Sequence, residues 1–132
     1  MDKQQESART NIELCLRSLD TAKEFLECSK ILLERGHSNG VKDRAFYSMF
    51  HVINAINALD NLEFKNHRGL ISNFGHRYLK TDIFPKEWGR HIQTMELERQ
   101  DREAGKICTV SKQETIDQVD LAQQMIDTIS SY

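Results

Sequence analysis

Six apolar residues, Ala8, Ile12, Cys15, Leu19, Ala22 and Leu26, recur at alternating spacings of four and three. That rhythm is one buried stripe on an α-helix. Leu16, Phe25, Leu32 and Leu33 widen the stripe, while Glu13, Arg17, Asp20, Lys23 and Glu24 fill the opposite side. The spacing predicts a first helix from about residue 4 to Arg35, stopped by Gly36, with a loop over His37, Ser38, Asn39 and Gly40. A stripe this long is most simply buried against other helices. One proline, Pro85, and six glycines punctuate 132 residues, too few for a many-turned β protein. The expected fold class is all-α: a single domain over residues 1–132, built as an antiparallel bundle of about five helices.

The second helix, expected over about Val41 to Asn61, carries Ala45, Phe46, Met49, Ile53 and Ile56 on one side, flanked by Val52 and Leu59. Its other side keeps a narrow polar stripe, Arg44, Tyr47, Ser48 and His51, edged by Ala55 and Ala58. Buried polar groups must find partners or cost a few kcal/mol each. The stripe is therefore read as a site or as a surface that a second subunit covers. A third helix, about His67 to Leu79, turns Leu70, Ile71, Phe74 and Tyr78 inward, and Asn66 can cap its start. Pro85 suits the first turn of a fourth helix, which places Trp88, Ile92 and Met95 inward and ends in the charged run from Glu96 to Lys106. Ser111 with Glu114 three residues on reads as a capping box for a fifth helix, whose stripe is Ile116, Val119, Ala122, Ile126 and Ile129.

Composition removes several functions. With 18 Lys+Arg against 20 Asp+Glu the net charge is −2, which excludes a grip on nucleic acid by the whole surface and leaves room for a local basic cleft. No apolar run is long enough to cross a membrane, and the polar start MDKQQESART is no signal or transit peptide. A cytoplasmic protein is expected. Cys15, Cys28 and Cys108 lack metal-ligand spacing and leave one unpaired, so reduced thiols are expected, with Cys15 and Cys28 in the core. His37, His76 and His91 read as surface residues. No metal site and no cofactor are implied: the chain has no HExxH, no Walker loop, no GxGxxG and no GxSxG.

One pair can carry chemistry. Arg44 and His51 stand seven residues apart, which is two turns, about 10 Å along the axis and about 20° in azimuth. A guanidinium that holds phosphate in a fork, beside an imidazole that titrates near neutrality, is the minimal equipment for metal-independent phosphodiester cleavage. Arginine neutralises the developing charge, and histidine moves the proton. The bland alternative is a helix-start arginine and a histidine satisfied within the fold.

The run Arg44-Ala45-Phe46-Tyr47-Ser48-Met49-Phe50-His51 resembles the R-A-Y-Y-A-M-F-H phrase of the HEPN superfamily. Asn66-His67-Arg68-Gly69-Leu70-Ile71 is similar to its H-x-G-L-I helix start, and Phe74 to Phe84 to its connection. Glu87-Trp88-Gly89-Arg90 resembles E-L-G-R, Arg99 the arginine before the A-D-Y phrase, and Val110-Ser111 the last capping turn. The likeness covers essentially the whole chain, among small stand-alone members.

The resemblance implies a helical homodimer packed through its central helices. It also implies association with RNA or a nucleotide, and for many members a minimal nucleotidyltransferase partner in a toxin–antitoxin-like pair. Many members are metal-independent ribonucleases whose motif is an arginine, four to six residues and a histidine. Arg44 and His51 meet that spacing as candidate catalytic residues, and Tyr47, Ser48, His67 and Arg99 become candidate contacts to nucleotide or RNA.

The chain also departs from the pattern. Ala45 follows the arginine, Ile53 stands where some members carry a modified tyrosine, no histidine follows Arg99, and Glu103-Ala104 replace the Asp-Tyr pair. A binding module or nucleotidyltransferase partner is thus read ahead of a ribonuclease and of a structural adaptor.

Overall fold

The computed structural model describes residues 2–62, 66–106 and 109–132, without the side chain of His67. Within them lie five α-helices: α1 (Lys3–Glu34), α2 (Ser38–Leu59), α3 (His67–Phe74), α4 (Glu87–Glu103) and α5 (Lys112–Ser130). A π-helical turn, Gly75–Leu79, prolongs α3. The all-α bundle read from periodicity is the observed fold.

Local chemistry sets the boundaries. Asp2 and Gln5 close a reciprocal capping box on α1. At its other end Gly36, with φ of 76°, lets the His37 amide donate to the Leu32 carbonyl and the Gly36 amide to that of Leu33. Asn61 and Gly105 end α2 and α4 the same way. The Asn66 side chain accepts from the Gly69 amide at 2.7 Å, and that of Ser111 from the Glu114 amide at 3.1 Å, as expected of caps.

Two boundaries differ from expectation: α4 begins at Glu87, two residues after Pro85, and α2 begins at Ser38, so residues 38–40 of the supposed loop are already helical. A Cβ on Gly40 would stand 3.1 Å from Leu32 Cδ1. The glycine there serves close packing at the α1–α2 corner rather than a loop.

Helices α1 and α2 form an antiparallel hairpin, and α5 packs on both. Ala45, Phe46, Met49, Ile53 and Ile56 are all buried, as their stripe predicts, with Ala22 and Leu26 of α1 and Val119, Ala122 and Ile126 of α5. A row of aromatic rings, Phe74, Phe84 and Trp88, joins α3 to α4. The first turn of α2 also grips α4 and α5 by charge. Buried Lys42 Nζ lies 2.5 Å from Glu98 Oε2 and 3.1 Å from Glu114 Oε2, and Asp43 Oδ1 lies 2.6 Å from Arg102 Nη2.

Two expectations about burial are corrected. The α1 stripe is buried only from Cys15 onward: Ala8 is exposed and Ile12 is 50% exposed, because the first turns of α1 lie beyond the hairpin. Cys28 is exposed, whereas burial of Cys15 pushes its thiol pKa up. Cys108 lies outside the described residues.

The polar stripe of α2 does not wait for a second subunit. Helix α1 of the same chain covers much of it, and the polar groups find partners inside the fold. The Ser48 hydroxyl donates to the Ala22 carbonyl at 2.8 Å, and Asn54 Nδ2 to Ser18 Oγ at 3.0 Å. Asn57 accepts from Asn73 on α3 at 2.9 Å. Ala55 is fully buried, so it offers no landing place for another backbone.

Candidate functional site

Antiparallel pairing brings Phe25, at the edge of the α1 stripe, against the polar side of α2. Three of the residues singled out from the sequence converge on its ring. The His51 imidazole lies parallel to it, with centroids 5.3 Å apart and planes 7° apart. The Arg44 guanidinium carbon lies 5.5 Å from the ring centroid, and the Tyr47 ring is 5.8 Å away. Phe50 closes on His51 edge-to-face at 5.4 Å. A cation near an aromatic face is held by the ring quadrupole, so Phe25 fixes Arg44 and His51 on one platform. Tyr47 and His51 are half-buried and Arg44 is exposed.

The acidic neighbours are occupied elsewhere. Asp43 is bound to Arg102, and Asp60 accepts from Tyr78 and pairs with Arg77 at 3.6 Å. Among the described residues Arg44 makes no ion pair, only the contact to Phe25. Its charge faces water and can meet an anion from outside.

The other candidates are placed differently. Ser48 is buried, one turn from Arg44, with its hydroxyl turned to α1; it does not reach the platform surface. Arg99 lies over Phe46 at 5.4 Å from the centroid, one ring further along. Two carboxylates hold it: Glu96 through Nε at 3.1 Å and Nη2 at 2.8 Å, and Glu103 at 2.5 Å. The hydrogen bonds it donates to Glu96 lead in pushing its pKa still higher. Arg99 is thus paired with carboxylates on its own helix. His67 opens α3, and its side chain lies outside the described residues.

Phe25 is the site residue that sequence reasoning missed. It reads as one more core residue of α1, and only the pairing of the hairpin reveals what rests on it. Among the described residues no group of three His, Cys, Asp or Glu side chains could hold a metal ion, and no helix is long and apolar enough to cross a membrane. The platform offers one free cation, one imidazole, one phenol and an aromatic base. That set suits a phosphate beside a planar ring.

Comparisons with known proteins agree with this fold. A protein of Thermotoga maritima named "UPF0332 protein" is 25% identical over 108 residues, 82% of either chain. A "UPF0332 protein" of Pyrococcus horikoshii is 26% identical over 76 residues, 58% of this chain and 54% of the relative. A protein of Methanocaldococcus jannaschii named "Putative toxin" is 32% identical over 74 residues, 56% of this chain and 55% of the relative. The chain thus spans about half the length of the last two in these alignments. No solved structure matches it. The family model described as the HEPN domain matches residues 16–132, nearly the whole bundle, and the chain belongs to that family.

Proposed function

We propose that the chain is a dimeric HEPN module of a toxin–antitoxin-like pair that engages RNA or a nucleotide through the Phe25 platform. The observation that carries the reading is Arg44: it is exposed, steadied by Phe25, and free of ion pairs among the described residues. A phosphate is its natural partner, and Tyr47 offers a ring for a base to stack on. The toxin-named relative, and family likeness to modules that work beside a minimal nucleotidyltransferase, support the setting. A dimer agrees with the exposed apolar residues Ile12, Leu14 and Leu16 on the uncovered turns of α1. The cytoplasm is the proposed location.

A second reading, a metal-independent ribonuclease, is favoured by one observation: His51 and Arg44 share a single ring. There Arg44 neutralises the phosphate, and His51 moves the proton of a ribose hydroxyl or of the leaving oxygen.

The test is binding and cleavage of a labelled single-stranded RNA in EDTA, with wild type, Arg44→Ala and His51→Ala. The proposal expects binding by wild type and its loss in Arg44→Ala. Cleavage that survives EDTA and disappears in both variants would establish the ribonuclease. Equal binding by wild type and Arg44→Ala would refute both readings of the platform.

A further inference from the structure

The α3 limb and α4 enclose an open groove of about 1180 Å³, whose lining does not include Phe25, Arg44, Tyr47 or His51. Helix α4 packs on the π-helical turn rather than along α3. Gly89 makes that approach close, since a Cβ there would stand 3.2 Å from Leu79 Cδ1. The floor is apolar, built from Ile71, Leu79 and Ile92, and Leu97, 62% exposed, forms part of one wall. The rims are basic: Arg68, His76 and Lys80 on the α3 limb, Lys86 and Arg90 at the start of α4. Among the described residues Glu96 is the only carboxylate lining the groove, and Arg99 and Gln100 hold its oxygens. Among the described residues Arg68, Lys80 and Arg90 make no ion pair, and Lys86 makes one exposed contact with Asp82 at 3.4 Å. This concentration of positive charge stands on a chain of net charge −2.

We propose that this groove receives an acidic amphipathic helical segment of a partner protein. Four features select that occupant. The volume exceeds the roughly 300–1,000 Å³ of small-molecule pockets. Both walls are helices, whose backbone groups are already bonded, so the occupant must satisfy its own backbone and is itself helical. An apolar floor with cationic rims complements apolar residues at spacings of three and four flanked by carboxylates. A nucleic acid fits less well, because the lining phenyl ring, Phe74, is buried, which leaves the imidazole of His76 on the rim as the one exposed ring among the described lining residues.

The charge is uneven. Connection 80–86 puts Lys80, Lys86 and Arg90 at one end, so the partner's carboxylates concentrate there. The face of α4 from Lys86 to Gln100 is about 20 Å long, enough for about 14 residues of partner helix at 1.5 Å each. None of these residues contacts Phe25, so the inference stands or falls apart from the platform reading.

The experiment is fluorescence anisotropy with the full chain and a labelled synthetic helix of about 14 residues, with leucines on one face and glutamates flanking them. The same peptide with lysines for glutamates, and a single-stranded oligoadenylate, serve as comparison probes. Two variants probe different features: Lys80→Glu with Arg90→Glu reverses the rim, and Gly75→Phe plugs the groove. A Cβ on Gly75 meets nothing within 4 Å, so the plug leaves the fold room. The expected result is saturable binding of the acidic peptide, about tenfold weaker in both variants, with none by the lysine peptide. Thermal melts should match wild type. Absence of saturable binding, binding indifferent to both variants, or displacement by the oligoadenylate would overturn the proposal. So would loss of self-association in Gly75→Phe, which would assign the groove to a second copy of the chain.

Discussion

The ring of Phe25 on α1 and the imidazole of His51 on α2 lie 5.3 Å apart, with their planes 7° from parallel. Because Arg44 rests on the same phenyl ring, one core-edge residue sets the position of both groups that can act on a phosphate. Their geometry therefore depends on the α1–α2 hairpin rather than on α2 alone.

Replacing Phe25 with alanine removes the platform without touching the charges. Phe25 is half-buried, so the cost should be about 2 kcal/mol, below the range for a fully buried ring. RNA binding should fall as far as in Arg44→Ala, while urea denaturation reports a still-folded protein. Undiminished binding in Phe25→Ala would show that Arg44 needs no support.

Ser48 and Ala55 belong to the internal seam. Ser48→Ala should cost about 1 kcal/mol, the worth of its bond to the Ala22 carbonyl, and leave RNA binding unchanged. Ala55→Arg should unfold the chain, since Ala55 has no exposed surface and a charge cannot be accommodated there. Circular dichroism separates this from a folded but monomeric protein, which would instead mark Ala55 as an interface residue.

If the exposed turns of α1 are covered in a dimer, Ile12→Glu with Leu16→Arg should halve the mass seen by sedimentation, with no loss of helix. Both residues are at least half exposed in the single chain, 50% and 55%, so the folded monomer loses little. A mass of 15.4 kDa for wild type at micromolar concentration would remove the dimer altogether.

Alkaline pH should act through Tyr78. Burial first, then its hydrogen bond to Asp60, push its pKa well above the ordinary value of 10.0. The folded state holds the phenol proton more tightly than the unfolded state does. The stabilisation is complete below about pH 10 and declines as pH rises toward the folded value. Tyr78→Phe should be less stable at neutral pH, where the Asp60 bond is lost, yet show a shallower alkaline decline in melting temperature. An equally steep decline in the variant would place the alkaline sensitivity elsewhere.

The helices were legible because their signals are local. Gly36, Asn66 and Ser111 act at their own ends of helices, and the α2 stripe from Ala45 to Ile56 is uninterrupted. Periodicity marks a face as apolar without naming what covers it. Ile12 and Leu16 therefore read as core although about half of each is left exposed. Gly40 read as a loop residue because the constraint on it comes from Leu32, across the hairpin. The same limit explains the site. Arg44 and His51 could be placed on one face of α2 from spacing, but the shared ring arises only where α1 meets α2, whereas the carboxylates on Arg99 stand three and four residues away on α4 itself.

The central claim is that Arg44 meets a phosphate, and the salt dependence of RNA binding tests it most directly. Log affinity should fall linearly with log salt concentration for wild type. Arg44→Ala should bind more weakly at every salt concentration, with a slope smaller by about 1, as expected for one lost phosphate contact. Arg90→Glu, in the groove between α3 and α4, should leave affinity and slope near wild type. An unchanged slope in Arg44→Ala together with a reduced slope in Arg90→Glu would contradict the account and move the nucleic-acid surface to the groove between α3 and α4.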